Sequence, residues 1–133
     1  MDAAVQSTEL QILVWSVILL ILHIVIQTLS LVKDAGLSYA FSPRDEVPGL
    51  SRLTGRLTRS LRNFIETYPA FIGLALALVA TGMTGGIGAT GAALWFWARV
   101  IYVPVYAIGL PVVRTLVWLA SIVGLVMMLL PLL

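Results

Sequence analysis

The stretch RLTGRLTRSLRNFIETYP, residues 52–69, decides how this chain folds, because it carries polar side chains into a hydrophobic segment. Five polar or charged residues recur at offsets of 4, 7, 11 and 14 from the first, on one stripe of an α-helix: Arg52, Arg56, Arg59, Asn63 and Glu66. The stripe continues in small residues that suit close packing between membrane helices: Ala70, Gly73, Ala77 and Ala80. Asn63 and Glu66 lie too far inside the segment to be flanking residues, and intramembrane polar groups are candidates for function.

The composition of the whole chain indicates a membrane protein. Its 133 residues are 60% hydrophobic and 11% charged, with a mean hydropathy of +1.04, whereas soluble domains carry about 25% charged residues. The length predicts one membrane domain, 1–133, and the first residues lack the basic region of a cleavable signal peptide. The absence of cysteine excludes disulfides, thiolate metal sites and a cysteine nucleophile. We expect no metal site and no nucleic-acid partner.

Four hydrophobic spans are predicted, at about 10–32, 55–83, 88–108 and 112–132. The first is free of charge for 23 positions, enough to cross the hydrocarbon at about 1.5 Å per residue. Thr84-Gly85-Gly86 predicts a tight hairpin between antiparallel helices, Pro104 a kink, and Gly109 with Pro111 a second short turn. The predicted fold is therefore an all-α integral membrane bundle of four helices running up and down.

The first span carries a polar stripe of its own. Ser16, His23, Gln27 and Ser30 follow one another at helical offsets of 7, 11 and 14. Such a stripe should face the bundle rather than lipid. His23 is interpreted either as an interhelical hydrogen-bonding residue or as a ligand or proton carrier.

The connection between the first two spans, loop 33–54, holds an unusual share of positive charge. Six basic residues fall between Lys33 and Arg62, and no comparable cluster flanks the other connections. The positive-inside rule then places residues 33–62 in the cytoplasm and both termini on the opposite side. Within the loop, Ser42-Pro43 followed by residues 44–46 predicts a turn and a short helical start.

Charged groups of different spans are expected to meet. Glu66 lies 17 residues before Met83, roughly 25 Å from the outer end of its helix. Arg99 lies 11 residues after Gly88, roughly 17 Å from the same end of the antiparallel neighbour. We therefore expect a Glu66–Arg99 ion pair, since an unpaired charge inside the bilayer costs about 2.5–3.5 kcal/mol. Further polar groups converge on the same pocket, open to the cytoplasmic leaflet: Tyr102, Tyr106 and Arg114.

This pocket suits a small, doubly anionic ligand that also carries an ammonium group. Arginine forks bind carboxylates bidentately, Glu66 can accept an ammonium group, and Asn63 can hydrogen-bond a peptide amide. A cation beside a thiol favours the reactive thiolate. Glutathione has all of these features.

The chain from about Lys33 onward resembles the MAPEG family, the membrane-associated proteins in eicosanoid and glutathione metabolism, in a bacterial-type form. One part of the resemblance is the pattern R-x-x-x-N-x-x-E at Arg59, Asn63 and Glu66, closely followed by a proline. The other part is an Arg-Tyr-Tyr series and then G-x-P-x-x-R-T: Arg99, Tyr102, Tyr106, Arg114 and Thr115. The family includes microsomal glutathione transferases, leukotriene C synthase and microsomal prostaglandin E synthase.

The resemblance implies a homotrimer in a bacterial inner membrane, with glutathione as co-substrate between neighbouring subunits near the cytoplasmic face. It implies a catalytic role for Arg114, which would stabilise the thiolate. The implied glutathione-binding residues are Arg59, Arg62, Asn63, Glu66, Tyr102, Tyr106 and Thr115. The chain departs from the family at Thr67, where leukotriene C synthase has a tyrosine, and at Tyr102, where the prostaglandin enzyme has a histidine. In the first span, the basic cluster of the family is reduced to Lys33.

Two functional interpretations follow. The first is glutathione transferase-like or peroxidase-like chemistry on a lipophilic substrate that enters from the bilayer. The second is a non-catalytic membrane module that binds anionic lipid or a partner protein, which would explain Arg44, Arg52 and Arg56. The second does not explain Asn63, Glu66 or Arg99 at depth, so the glutathione interpretation is favoured, and whether the protein is catalytically active stays open.

Overall fold

The computed structural model describes residues 7–43 and 49–133, and these residues form four long helices. The helices are α1 (Thr8–Ala35), α2 (Arg52–Ala80), α3 (Gly86–Ile108) and α4 (Pro111–Leu129). A single helical turn, Leu37–Ala40, follows α1, and a 3-10 turn, Leu130–Leu132, follows α4. Each long helix is apolar and long enough to cross a membrane, so the predicted all-α, four-span architecture is confirmed. The turn expected at residues 44–46 lies outside the described residues.

Local backbone chemistry sets the ends of the helices. Ser51 caps α2, its hydroxyl accepting a hydrogen bond from the Thr54 amide (3.2 Å). At the other end of α2, Gly82 adopts a φ of 70°, and the Met83 amide donates back to the Leu78 carbonyl (2.9 Å). This left-handed glycine ends α2 at Ala80, before the Thr84-Gly85-Gly86 segment. Gly109 (φ 86°) ends α3 in the same way and leads directly into α4.

The core is aromatic and lies between α2 and α3. Phe64, Tyr68 and Phe71 of α2 surround Trp95 of α3, and the Phe71 and Trp95 rings stack with centroids 3.9 Å apart. The buried face of α2 repeats every three or four residues and is opposite much of the polar stripe. Arg59, Glu66 and the small residues beyond them therefore lie toward the outside of the single chain.

The polar stripe of α1 faces the bundle, as predicted. The Ser16 hydroxyl hydrogen-bonds to the Tyr68 hydroxyl (2.8 Å), Gln27 donates to Thr58 (3.1 Å), and Ser30 pairs with Thr54. His23 is buried edge-on against the Phe64 ring, with centroids 5.9 Å apart. Neither ring nitrogen of His23 has a hydrogen-bond partner among the described residues, so the interhelical hydrogen bond expected of it is not formed.

Two further contacts hold the helices together. α3 and α4 cross at Gly91 and Gly124, where a Cβ added to either glycine would lie 2.6 Å from the carbonyl oxygen of the other. At the end of the bundle where α1 begins, the buried Glu9 carboxylate accepts a hydrogen bond from the Gly85 amide (2.8 Å) at the start of α3. The other end of the bundle carries Lys33, Arg52 and the 109–110 turn, and is called the basic end below.

Candidate functional site

A cleft of about 390 Å³ opens near the basic end, bounded by α2, α3 and α4. Nine residues line it: Arg59, Arg62, Asn63, Glu66, Tyr102, Tyr106, Arg114, Thr115 and Trp118. The first eight are the residues named from the sequence as the candidate site, and the structure brings all of them to one place.

Helical spacing explains how three helices supply these side chains. The four residues from α2 repeat every three or four positions, Tyr102 and Tyr106 are four apart on α3, and the three residues from α4 lie within one turn and a half. Both tyrosines are more than nine-tenths buried, so they present only a small part of each side chain to the cleft. Arg59, Arg62 and Glu66 are exposed in the single chain.

Tyr106 joins two of the arginines. Arg59 Nε donates to the Tyr106 hydroxyl (3.3 Å), while the Arg114 guanidinium lies 4.8 Å from the centroid of the Tyr106 ring. Tyr106 also contacts Tyr102 edge to face, with centroids 5.5 Å apart. A guanidinium near an aromatic face is attracted by the ring quadrupole. Tyr106 therefore fixes the position of two cations that come from different helices.

The expected Glu66–Arg99 ion pair is wrong. Arg99 Nη1 donates instead to Asn63 Oδ1 (2.9 Å), and no ion pair joins Arg99 to Glu66 within residues 7–43 and 49–133. The rise per residue gives the depth of a side chain along the helix axis. It does not give the direction in which that side chain points, because this depends on the rotation of each helix about its own axis. Asn63 is half-buried toward α3, whereas Glu66 is exposed at the cleft.

Arg56 belongs to the predicted polar stripe but has a structural contact. Its Nη1 donates to the carbonyl oxygens of Ala107 and Ile108, each at 3.3 Å. These carbonyls belong to the last turn of α3, where a cation is favoured by the helix dipole. Arg56 lies beside a smaller cleft of about 190 Å³ that shares Arg59, Tyr106 and Arg114 with the first.

The electrostatics of the larger cleft favour an anion. Three guanidinium groups face one carboxylate, so the lining has an excess of positive charge. Its volume falls at the small end of the roughly 300–1,000 Å³ typical of small-molecule sites. The arrangement can hold carboxylates on arginine forks, an ammonium group on Glu66, and an anionic reacting atom beside Arg114.

Trp118 is the cleft residue that the sequence reasoning missed. It follows Arg114 by four positions on α4, and this spacing alone could have indicated that it shares the face of Arg114. It is half-buried and adds a large apolar surface to an otherwise polar lining.

Together, four membrane-spanning helices and a cationic cleft set among them define a multi-pass integral membrane protein with a positively charged cleft. The sequence profile of the MAPEG family matches residues 12–133, and the chain belongs to this family. The match begins within α1, so it extends beyond the resemblance from Lys33 onward. No curated protein and no solved structure gives a significant match. The family includes glutathione-dependent transferases and peroxidases, and its members are generally oligomeric.

Proposed function

We propose that the protein is a glutathione-dependent membrane enzyme, of the transferase or peroxidase type, which acts on a lipophilic substrate from the bilayer. The observation that carries the proposal is the lining of the cleft, where arginine, glutamate, asparagine and tyrosine side chains meet at intramembrane positions. These groups match the carboxylates, the ammonium group and the peptide oxygens of glutathione. Membership of a family that generally uses glutathione supports the same ligand.

Each cleft residue has a role in this proposal. Arg59 and Arg62 bind carboxylates, and Glu66 accepts the ammonium group. Asn63, Tyr102, Tyr106 and Thr115 hydrogen-bond to the tripeptide. Arg114 stabilises the thiolate, whose sulfur donates an electron pair to an electrophilic carbon of the substrate while the leaving group departs with the bonding pair.

Access from the bilayer follows from the position of the cleft within the spans. Thr115 is exposed at its edge, and Trp118 provides an apolar wall beside Arg114. A lipophilic molecule can therefore approach the reacting atom from hydrocarbon without crossing the charged lining.

We also propose that the basic end, with residues 33–62, faces the cytoplasm of a bacterial inner membrane. The clustering of basic residues between Lys33 and Arg62 supports this orientation through the positive-inside rule. In this orientation the cleft opens toward the compartment that holds glutathione.

A homotrimer is the proposed assembly. Arg62 and Glu66 are exposed on the surface of one chain although they lie within a span, and a charge facing hydrocarbon costs about 2.5–3.5 kcal/mol. A neighbouring copy that covers this face would remove the cost. Farther along the same helix, Ala70 and Gly73 are exposed, and nothing lies within 4 Å of a Cβ built at Gly73. Small residues of this kind allow close helix contact. A stable monomer in native mass spectrometry from mild detergent would contradict the trimer.

A calorimetric titration of glutathione into the detergent-purified protein tests the proposed function. We expect saturable binding by the wild type and a loss of about tenfold or more for Arg59→Ala, because a charge-assisted hydrogen bond is removed. Arg52→Ala is the matched control. Arg52 has the same charge on the same helix, is exposed and lies outside the cleft.

Vesicles that contain anionic phospholipid distinguish the non-catalytic, lipid-binding interpretation from the proposed glutathione-dependent enzyme. If the arginines bind only lipid headgroups, Arg59→Ala and Arg52→Ala should reduce equally the stabilisation of the protein by these vesicles. Neither substitution should then change glutathione binding. Absence of glutathione binding by the wild-type protein refutes the proposed function.

A further inference from the structure

Arg99 lies behind the cleft rather than in its lining. Its side chain is only 1% exposed, and its guanidinium carbon lies 4.3 Å from the Tyr102 ring centroid and 5.4 Å from that of Phe64. Its Nη1 donates to Asn63 Oδ1 at 2.9 Å. Arg99 therefore contacts two cleft residues, Asn63 and Tyr102, from the side that faces the protein interior.

The contact with Asn63 determines which way the amide points. A guanidinium only donates hydrogen bonds, so the atom of Asn63 that faces Arg99 must be the carbonyl oxygen. Turning the amide by half a rotation would place its N–H groups against a buried cation and leave Nη1 without its acceptor. The remaining polar atom of Asn63, Nδ2 with its two N–H groups, is then the one available to the cleft.

We propose that Arg99 is a positioning residue that acts through Asn63. It holds the Asn63 amide so that its N–H groups face the cleft, where they donate hydrogen bonds to a carboxylate or carbonyl oxygen of the ligand. This inference rests on the proposed function and deepens it. The sequence alone allowed Asn63 to accept from a peptide N–H as readily as to donate. With Arg99 in place, Asn63 joins the three arginines as a donor, and Glu66 is the charged acceptor of the cleft.

A double-mutant cycle for glutathione affinity tests the inference. Arg99→Met keeps an apolar stem and removes the donors, Asn63→Ala removes the amide, and the third variant combines both. We expect each single variant to weaken glutathione binding by about tenfold, and the combination to be no weaker than Asn63→Ala alone. Arg99→Lys, which keeps a cation and a donor, should restore most of the affinity.

Arg62→Ala supplies the matched comparison. Arg62 lines the cleft, and among the described residues no hydrogen bond joins it to Arg99, so the losses from Arg62→Ala and Arg99→Met should multiply. Multiplying losses for Asn63→Ala and Arg99→Met would overturn the inference, as would an unchanged affinity of Arg99→Met. If Arg99→Met does not fold, Asn63→Asp replaces it, because the aspartate keeps an acceptor for Arg99 but has no N–H group for the cleft. A glutathione affinity of Asn63→Asp equal to that of the wild type overturns the proposal.

The same cycle, measured as thermal midpoints without ligand, separates this inference from the proposed function. If the wild-type protein binds no glutathione, the proposed function fails, and the midpoints decide the Arg99–Asn63 contact. A destabilisation by Asn63→Ala that disappears in the Arg99→Met background supports the positioning contact. Equal destabilisation in both backgrounds overturns it.

Discussion

Gly91→Ala tests whether the glycine crossing of α3 and α4 holds the bundle together. A Cβ at Gly91 would lie 2.6 Å from the Gly124 carbonyl oxygen and 2.7 Å from Met127 Cβ. The nearest of these distances falls about 0.8 Å short of the 3.4 Å at which ordinary van der Waals contact begins. The closest obstacle is backbone, which cannot rotate away as a side-chain tip can. The two helices must therefore move apart at this point.

The magnitude follows from overpacking. Forcing one extra methyl group into a tight contact costs about 1–3 kcal/mol, and a rigid backbone obstacle places Gly91→Ala in the upper half of that range. Alanine also has the better helix propensity, which offsets about 1 kcal/mol of this cost. We expect a net destabilisation of about 1–2 kcal/mol and a fall of several degrees in the thermal midpoint.

The assay is thermal unfolding in a detergent that keeps the chain monomeric, so that only contacts within one chain count. Gly73→Ala is the control, because nothing lies within 4 Å of its added Cβ, and its midpoint should stay the same or rise. Gly91→Ala combined with Gly124→Ala should cost less than the sum of the two, since both open the same contact. Equal midpoints for Gly91→Ala and Gly73→Ala would refute the reasoning.

The same substitution should also change the geometry of the cleft. Arg114 lies on α4 and the two tyrosines lie on α3, so a wider crossing changes their separation at the basic end. Hydrogen bonds from the two helices to one ligand weaken when the groups that form them move apart. Glutathione affinity of the folded Gly91→Ala variant should therefore also fall, whereas that of Gly49→Ala, where nothing lies within 4 Å of the added Cβ, should not.

Five further predictions concern single residues. Arg114→Ala should leave glutathione affinity nearly intact but raise the thiol pKa of the bound ligand by about one unit, measured by thiolate absorbance against pH at saturating ligand; loss of binding without a change in ionisation contradicts this. Arg59→Ala should do the reverse, weakening binding while sparing that thiol pKa. Glu9→Ala removes the acceptor at the start of α3 and should destabilise the fold by about 1 kcal/mol, with Glu9→Gln milder; an unchanged midpoint would show that this cap contributes nothing. Asn63→Asp keeps an acceptor for the buried guanidinium and adds a counter-charge, so the midpoint should rise by a few degrees while glutathione affinity falls; a lower midpoint argues against the contact. A cysteine placed at Ser38, in a chain without other cysteines, should be labelled from the cytoplasmic side only, and labelling from the periplasm alone would reverse the proposed orientation.

Much of the architecture was readable from the sequence because its causes are local. A charge-free run long enough to cross hydrocarbon must satisfy its backbone groups internally, and this makes it a helix whatever surrounds it. The helical period also fixes which residues share a face. For that reason the sequence pattern predicts the stripe Arg59–Asn63–Glu66 and the α1 stripe from Ser16 to Ser30, and of the cleft lining it misses only Trp118.

The partners across helices were decided by tertiary structure alone. Rise per residue gives depth in the membrane, but a side chain meets its partner only if both helices are rotated toward each other, and no single helix encodes that rotation. Hence Arg99 bonds to Asn63 rather than Glu66, and Arg56 to the end of α3. The contacts of Gly91 with Gly124 and of Glu9 with Gly85 likewise join residues 33 and 76 positions apart. Such contacts exist only after packing has brought the helices into register, because close packing selects one rotation and one crossing point from many that the sequence pattern allows.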